Sequence, residues 1–252
     1  MPRSATRQPR KIPAPKPTSP PPPAAAVDTE RVPRGARRKR ETRARLLEAA
    51  LKLMAEKGME GVAINEITEA ADVGFGSFYN HFESKEAIYA ALVDSVFEQF
   101  AEALDRRLAD ISDHAEVIAV AVRHTLLRAQ REPVWGRFLV REGFSVRALQ
   151  RELGQRLLRD LQRGMDAGRF TAADPLMSFI CVSGTVLNSI AAQLQFGSPA
   201  GQQAAALRAM GFSGEHIPER AASTVLQTLG IGRAEADKIA RRPLPDVAPK
   251  AR

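Results

Sequence analysis

The sequence predicts an all-α fold in two parts, a small three-helix N-terminal domain followed by a larger helical body. Three observations predict it. Apolar residues recur with a period near 3.6 from Arg37 onward, no segment alternates with period two, and caps and prolines stand where helices should start. The chain has 252 residues, 44% of them hydrophobic and 26% charged, enough to bury a core in one or two domains.

Residues 1–36 read as a disordered, proline-rich basic tail. Ten prolines fall between Pro2 and Pro33, and each removes an amide donor and fixes φ. The apolar stretch from Ala24 to Val27 is too short for the core of a secretion signal, so export is not expected. Next, Leu46, Leu47, Ala50, Leu51 and Met54 form one helical face that ends at Gly58 and Gly61. A short helix follows with Ile64, Ile67, Ala70 and Ala71 on one side. Asp72-Val73-Gly74 makes a turn, and a second short helix carries Phe75 and Phe78, with Phe82 beyond it. Ser84 is positioned to cap a long helix starting at Lys85, with Ile88, Leu92 and Val96 facing inward.

The body reads as five or more further helices. Ser112 is expected to cap one through Gln130, and Pro133 to open a short one reaching Arg141. Ser145 is expected to start another, to about Gly168, with Leu149, Leu153, Leu157, Leu161 and Met165 spaced by four. Asp174-Pro175 opens a stretch with no charged residue before Arg208. Its length would span a bilayer, but Ser178, Ser183, Thr185, Asn188, Ser189, Gln193 and Gln195 load it with polar groups. A helix buried on nearly all sides, partly by a second copy of the chain, is expected instead, and no membrane partner. Two last helices are expected over Pro218–Leu229 and Ala234–Arg241.

Charge is concentrated at one end. The total is 37 − 29 = +8; residues 1–40 hold 11 basic and 2 acidic side chains (+9), leaving −1 for the rest. A basic arm on a near-neutral body suits a polyanionic partner. The single cysteine, Cys181, excludes an internal disulfide or a multi-cysteine zinc site. His81, His114, His124 and His216 show no metal-ligand spacing, and no glycine-rich phosphate loop occurs, so neither catalysis, metal nor cofactor is expected.

The long helix, the two short helices and the tight turn over Ile64–Phe82 have helix-turn-helix dimensions. The run from Ile67 to Glu86, with Gly76, Tyr79, Phe82 and Ser84-Lys85-Glu86, resembles the DNA-binding domain of TetR/AcrR-type transcriptional regulators over roughly residues 39–96. That resemblance implies a helix-turn-helix DNA-binding domain over 37–100 and a helical ligand-binding and dimerisation domain over 101–242. Residues 243–252 are then a flexible C-terminal tail.

The resemblance also implies that Gly74, Phe75, Gly76, Ser77, Tyr79 and Asn80 enter the major groove, and that Ser77, Tyr79, His81 and Lys85 touch phosphates. Phe75 would press on a thymine methyl, and Asn80 would pair with adenine or a phosphate. Phe78 and Phe82 are expected in the core, with Glu66 and Glu69 facing solvent. Two positions depart from the family pattern. Phe75 stands where Lys or Arg is frequent, and Ala63 where Thr is. Residues 41–100 carry 5 basic and 11 acidic groups, net −6. Arg37, Arg38, Lys39 and Arg40, with the tail, are expected to supply the electrostatic attraction.

The expected effector pocket comprises Val120, His124, Trp135, Phe138, Leu139, Phe144, Leu157, Phe179, Val182 and Asn188, an apolar set with a few polar groups. A homodimer is expected, joined through the helices from Pro175 and Pro218, whose Gly184, Ala191, Ala192, Ala221 and Ala222 permit close approach. The function so implied is a cytoplasmic regulator, nucleoid-associated when bound, a repressor released from a palindromic double-stranded DNA operator by a small hydrophobic or amphipathic effector. The alternative is an architectural, tail-driven DNA binder without a ligand.

Overall fold

The computed structural model describes residues 34–143, 152–172, 174–197 and 202–245, and among these every regular element is a helix. α1 (Arg34–Lys57) begins three residues before the expected boundary at Arg37 and buries Leu46, Ala50 and Met54 completely. It stops at Gly58, whose φ of +76° a side chain would disfavour.

α2 (Ile64–Ala70) and α3 (Phe75–Tyr79) follow, joined by a turn in which Asp72 takes a φ of 52°. Ile67, Thr68 and Ala71 are buried against α1 and Ile64 is half-buried, whereas Ala70 is exposed. The expected apolar face is thus shifted, because 64, 67, 68 and 71 share one side of a 3.6-residue helix and 70 does not. Ala63 caps α2 without a side-chain bond. Glu66 reaches back instead, accepting from the Ala63 amide at 2.9 Å and from Lys57 at 2.5 Å. Glu66 therefore does not simply face solvent; it stitches α2 to the end of α1.

α4 (Lys85–Val93) is capped by Ser84, whose Oγ accepts from the Ala87 amide at 3.2 Å. It continues through one π-helical turn, Asp94–Glu98, into α5 (Gln99–Leu108), so one rod leads from the N-terminal domain into the body. The body adds α6 (His114–Arg131), α7 (Pro133–Glu142), α8 (Glu152–Asp166), α9 (Pro175–Phe196), α10 (Gln202–Ala209), α11 (Ile217–Thr228) and α12 (Arg233–Ala240). Asp113, not Ser112, caps α6, accepting from the Ala115 amide at 3.0 Å. A carboxylate there also binds Arg169 at 2.9 Å, an advantage that the hydroxyl next to it lacks. Ser145, Leu149 and Phe144 lie outside the described residues.

α9 departs from expectation. It is long and apolar enough to cross a membrane, yet only one face, with Phe179, Val182, Leu187 and Ile190, is buried on α6, α7, α8 and α11. Leu176, Met177 and Ile180 stand 61%, 50% and 48% exposed. α11 also differs. Ala221, Ala222, Val225 and Leu226 are buried against its own chain, and its open side carries Arg220, Thr224, Gln227 and Thr228. Small residues mark close approach, but the pattern alone does not say whether the neighbour is the same chain or another copy. α10 went unpredicted, because the uncharged stretch hides the break after Phe196.

Candidate nucleic-acid interface and effector cavity

The turn between α2 and α3 fixes one surface of the N-terminal domain. Phe78 is fully buried and Phe82 nearly so, which anchors α3 and leaves its other face outward. Gly74, Phe75, Gly76, Tyr79 and Asn80 are exposed on that face, with Ser77 half-buried. A side chain placed on Gly74 or Gly76 would meet no atom within 4 Å, so the fold itself does not require either glycine to lack one. Lys85 is half-buried in the first turn of α4, where its ammonium adds to the positive end of the helix dipole.

The start of α1 flanks this surface. Arg37, Arg38, Lys39 and Arg40 are all exposed, and Arg37 pairs with Glu41 at 2.7 Å. Arg43 lies over the Phe82 ring at 5.0 Å, and Arg45 donates to the Asp72 carbonyl at 3.3 Å, so α1 holds the turn between the short helices and the segment just after α3. His81 sits beneath Lys39 and Arg43. Its pKa is pushed below the usual histidine value by burial first and then by those two cations. Its Nδ1 is buried without a partner. The arrangement juxtaposes cations, hydroxyls and a ring edge on one side, the chemistry of phosphate contact.

A second feature lies in the body. A cavity of about 130 Å³ opens between α5, α6, α8 and α9. Its wall is mainly apolar, formed by Phe97, Leu104, Val122, Leu153 and Leu187 among others. Of the expected pocket residues, Leu139, Leu157, Phe179 and Val182 line it. Val120, His124, Trp135, Phe138 and Asn188 do not. On α6 the cavity takes Ile118, Ala121, Val122 and Thr125, one helical face, and Val120 and His124 point elsewhere. Trp135 is core: its Nε1 donates to the Val96 carbonyl at 3.4 Å, and Phe138 stacks on Phe97 at 5.8 Å. Asn188 is exposed on α9 and donates to the Gly184 carbonyl at 2.8 Å. Phe144 is outside the described residues.

The polar part of the cavity was missed by sequence reasoning. Asp105 on α5 forms an ion pair with Arg156 on α8, and a second with Arg159 at 3.0 Å; Asp160, also in the wall, pairs with Arg159 at 3.0 Å. Thr125 and Ser183 add hydroxyls. A signal existed. Arg156 and Asp160 each fall three residues after a leucine of the Leu153, Leu157, Leu161 stripe, so charge stands on an apolar face. His124 is buried nearby in α6. Burial, then Arg107, Arg131 and Arg123, lower its pKa to about 4, and its Nε2 has no partner.

Comparisons with known proteins agree across both parts. Residues 46–92 match the family model of bacterial regulatory proteins of the tetR family, and residues 113–242 match that of the Tetracyclin repressor-like C-terminal domain. The HTH-type transcriptional repressor DhaR of Mycobacterium sp. (strain GP1) is 40% identical over 70 residues, 28% of this chain and 35% of its own length. The transcriptional regulator AcuR of Cereibacter sphaeroides is 34% identical over 109 residues, 43% of this chain and 48% of its own. The chain therefore spans about a third to a half of the length of these curated relatives. Among solved structures, RolR in complex with resorcinol is 35% identical, over 84% of this chain and 100% of that one, with a TM-score of 0.59. FadR from Bacillus subtilis in complex with stearoyl-CoA is 15% identical with a TM-score of 0.55, a likeness of fold alone.

Proposed function

This chain belongs to the TetR family of bacterial regulatory proteins, and from that premise we propose that it is a homodimeric repressor released from a palindromic operator by a small, hydroxyl-bearing ring compound. The family is one of DNA-binding transcriptional regulators, not of enzymes. Cytoplasmic action on the nucleoid follows from that role.

The cavity in the body carries the reading of the effector. At about 130 Å³ it is close in size to an engineered apolar cavity of about 150 Å³ that takes up benzene. The wall is apolar for a ring face, and Asp105, Arg156, Asp160, Thr125 and Ser183 offer partners for hydroxyls. RolR, similar over its whole length, was solved with resorcinol, a ring with two hydroxyls. Leu139, Leu157, Phe179 and Val182 would hold the ring.

For DNA, the reading assigns Gly74, Phe75, Gly76 and Asn80 to the groove. Ser77, Tyr79, His81, Lys85 and the run Arg37–Arg40 are assigned to phosphates. The exposed strip Leu176, Met177 and Ile180 on α9 supports a dimer contact there, without the apolar side of α11. Two reading helices about 34–36 Å apart would then meet one face of the duplex.

Selection of bound sequences from random duplexes by the full-length chain tests the reading, followed by operator binding with and without resorcinol. An inverted repeat, with affinity weakened about 5–150-fold by the ring compound, is expected. Binding without a motif, vanishing with salt, would instead favour the tail-driven architectural role, which the absence of Lys and Arg from α3 keeps as the second reading.

A further inference from the structure

α3 presents rings rather than charges on its exposed face. Its five residues, Phe75-Gly-Ser-Phe-Tyr79, contain no ionisable group except the tyrosine hydroxyl. Phe78 is spent on the core, but Phe75 is 54% and Tyr79 53% exposed. The two exposed rings contact edge to face, centroids 5.7 Å apart and planes at 71°. Gly74 and Gly76 flank Phe75 with open space around them. The fold gains little from this residue, and water bears most of its surface.

Each base pair shows the major groove hydrogen-bonding groups, but one edge adds an apolar group, the C5-methyl of thymine. A phenyl ring has no donor or acceptor. Set against guanine O6 and N7 or the cytosine amino group, it would strip water and return nothing. Set against a methyl, it buries apolar surface on both sides. Phosphate attraction falls to other residues, the exposed run Arg37–Arg40 on α1 and Lys85 on α4.

We propose that Phe75 is a specificity-determining residue that reads the C5-methyl of a thymine in each operator half-site, with Tyr79 buttressing its ring. This rests on the DNA-reading role proposed above. The same methyl is offered by 5-methylcytosine, and the test separates the two sources.

The experiment uses the full-length chain and the operator recovered by selection. Thymines are replaced one at a time by deoxyuridine, which deletes only the methyl. One methyl is worth about fourfold in affinity, so one thymine per half-site should show a loss of that size, and replacement in both half-sites about sixteenfold. Phe75→Ala should bind the natural operator more weakly and become indifferent to the same replacement. Its melting temperature should be unchanged, because the ring is outside the core. At that position wild-type protein should bind a 5-methylcytosine pair about fourfold tighter than a cytosine pair, yet no tighter than thymine.

Indifference of the wild type to every deoxyuridine overturns the proposal. So does a Phe75→Ala chain that keeps the full penalty, since another residue then reads the methyl. Equal binding of cytosine and 5-methylcytosine overturns it in favour of DNA shape, and 5-methylcytosine outbinding thymine reassigns the contact to methylated cytosine. Failure of selection to return any motif is a separate result, and sinks the sequence-reading role itself.

Discussion

The Tyr89 hydroxyl of α4 donates to the Glu142 carboxylate at the end of α7, tying the DNA-binding domain to the body. One residue earlier, Arg141 donates through Nη2 to the Glu56 carbonyl at 3.0 Å, in the last turn of α1. Its guanidinium lies where a side chain on Gly58 would stand, 2.8 Å from that position. On its other side the same turn of α7 gives Leu139 and Gly143 to the cavity wall. One helical turn thus touches both the cavity and the two helices that hold the reading head. It is a second physical route beside the α4–α5 rod, by which a filled cavity can bias the head's orientation.

Tyr89→Phe removes the hydroxyl and keeps the ring against Phe138, centroids 6.4 Å apart. A lost bond to a charged partner is worth about 1–3 kcal/mol, so a melting temperature lower by several degrees is expected. The ratio of operator affinities with and without resorcinol should shrink toward one. Thermal denaturation and a paired binding titration measure both. An unchanged ratio would leave the coupling to the Arg141–Glu56 contact and the α4–α5 rod.

Ala63 leaves α2 without a side-chain cap, and Glu66 compensates from the other direction. Ala63→Thr restores a hydroxyl able to accept from the first-turn amides. A gain of about 1 kcal/mol in unfolding free energy is expected, read from denaturant midpoints at unchanged slope. Glu66→Gln should cost stability in the same assay, and cost less in the Ala63→Thr background.

These cases show how unevenly sequence discloses structure. Ser84, Asp174 and Pro133 act locally, through hydrogen bonds and fixed φ within one turn, and each stands where expected. The exposed face of α3 was legible for the same reason, being set by a short continuous segment. The cavity was half legible. Apolar periodicity identifies Leu157, Phe179 and Val182 as inward-facing, but Trp135 and Phe138 look the same and fill the core instead. Asp105 and Arg156 meet only because α5 and α8 pack together across some fifty residues, a fact that no local pattern encodes. The burial of Ala221 and Ala222 within their own chain is of the same kind.

His124 makes stability pH-dependent. Its folded pKa is about 4, below the ordinary value near 6.5, because burial and three arginines disfavour the charged form. The unfolded chain therefore binds the proton more readily. Stability from this group is full above about pH 6.5 and falls progressively as pH drops toward 4. Melting temperature against pH should decline across that window, and His124→Leu should flatten the decline.

Operator affinity should move with pH in the opposite sense through His81. Burial first, and then Lys39 and Arg43, depress its pKa in the free protein. A phosphate laid across the two cations offsets their repulsion and raises the value, so binding takes up a proton. Affinity should rise as pH falls from 8 toward 6, and His81→Gln should remove the trend. A titration at fixed ionic strength decides it, and equal slopes for both proteins would place His81 away from phosphate.

The basic run at the start of α1 predicts the salt dependence. Arg38, Lys39 and Arg40 are exposed and show no ion pair among the described residues, while Arg37 is held by Glu41 at 2.7 Å. Each cation that neutralises a phosphate releases counterions and adds about 0.9 to the slope of log affinity against log salt. Replacing Arg38 and Arg40 together by alanine should lower that slope by about 1.8 per subunit. Arg37→Ala should lower it by less, because its charge is already partly offset by Glu41. Cations at a helix N-terminus also oppose the helix dipole, so the same double substitution should leave α1 intact or slightly firmer. A reduced slope with unchanged helicity by circular dichroism would therefore report lost phosphate contacts, and an unchanged slope would move the electrostatic attraction to residues outside this run.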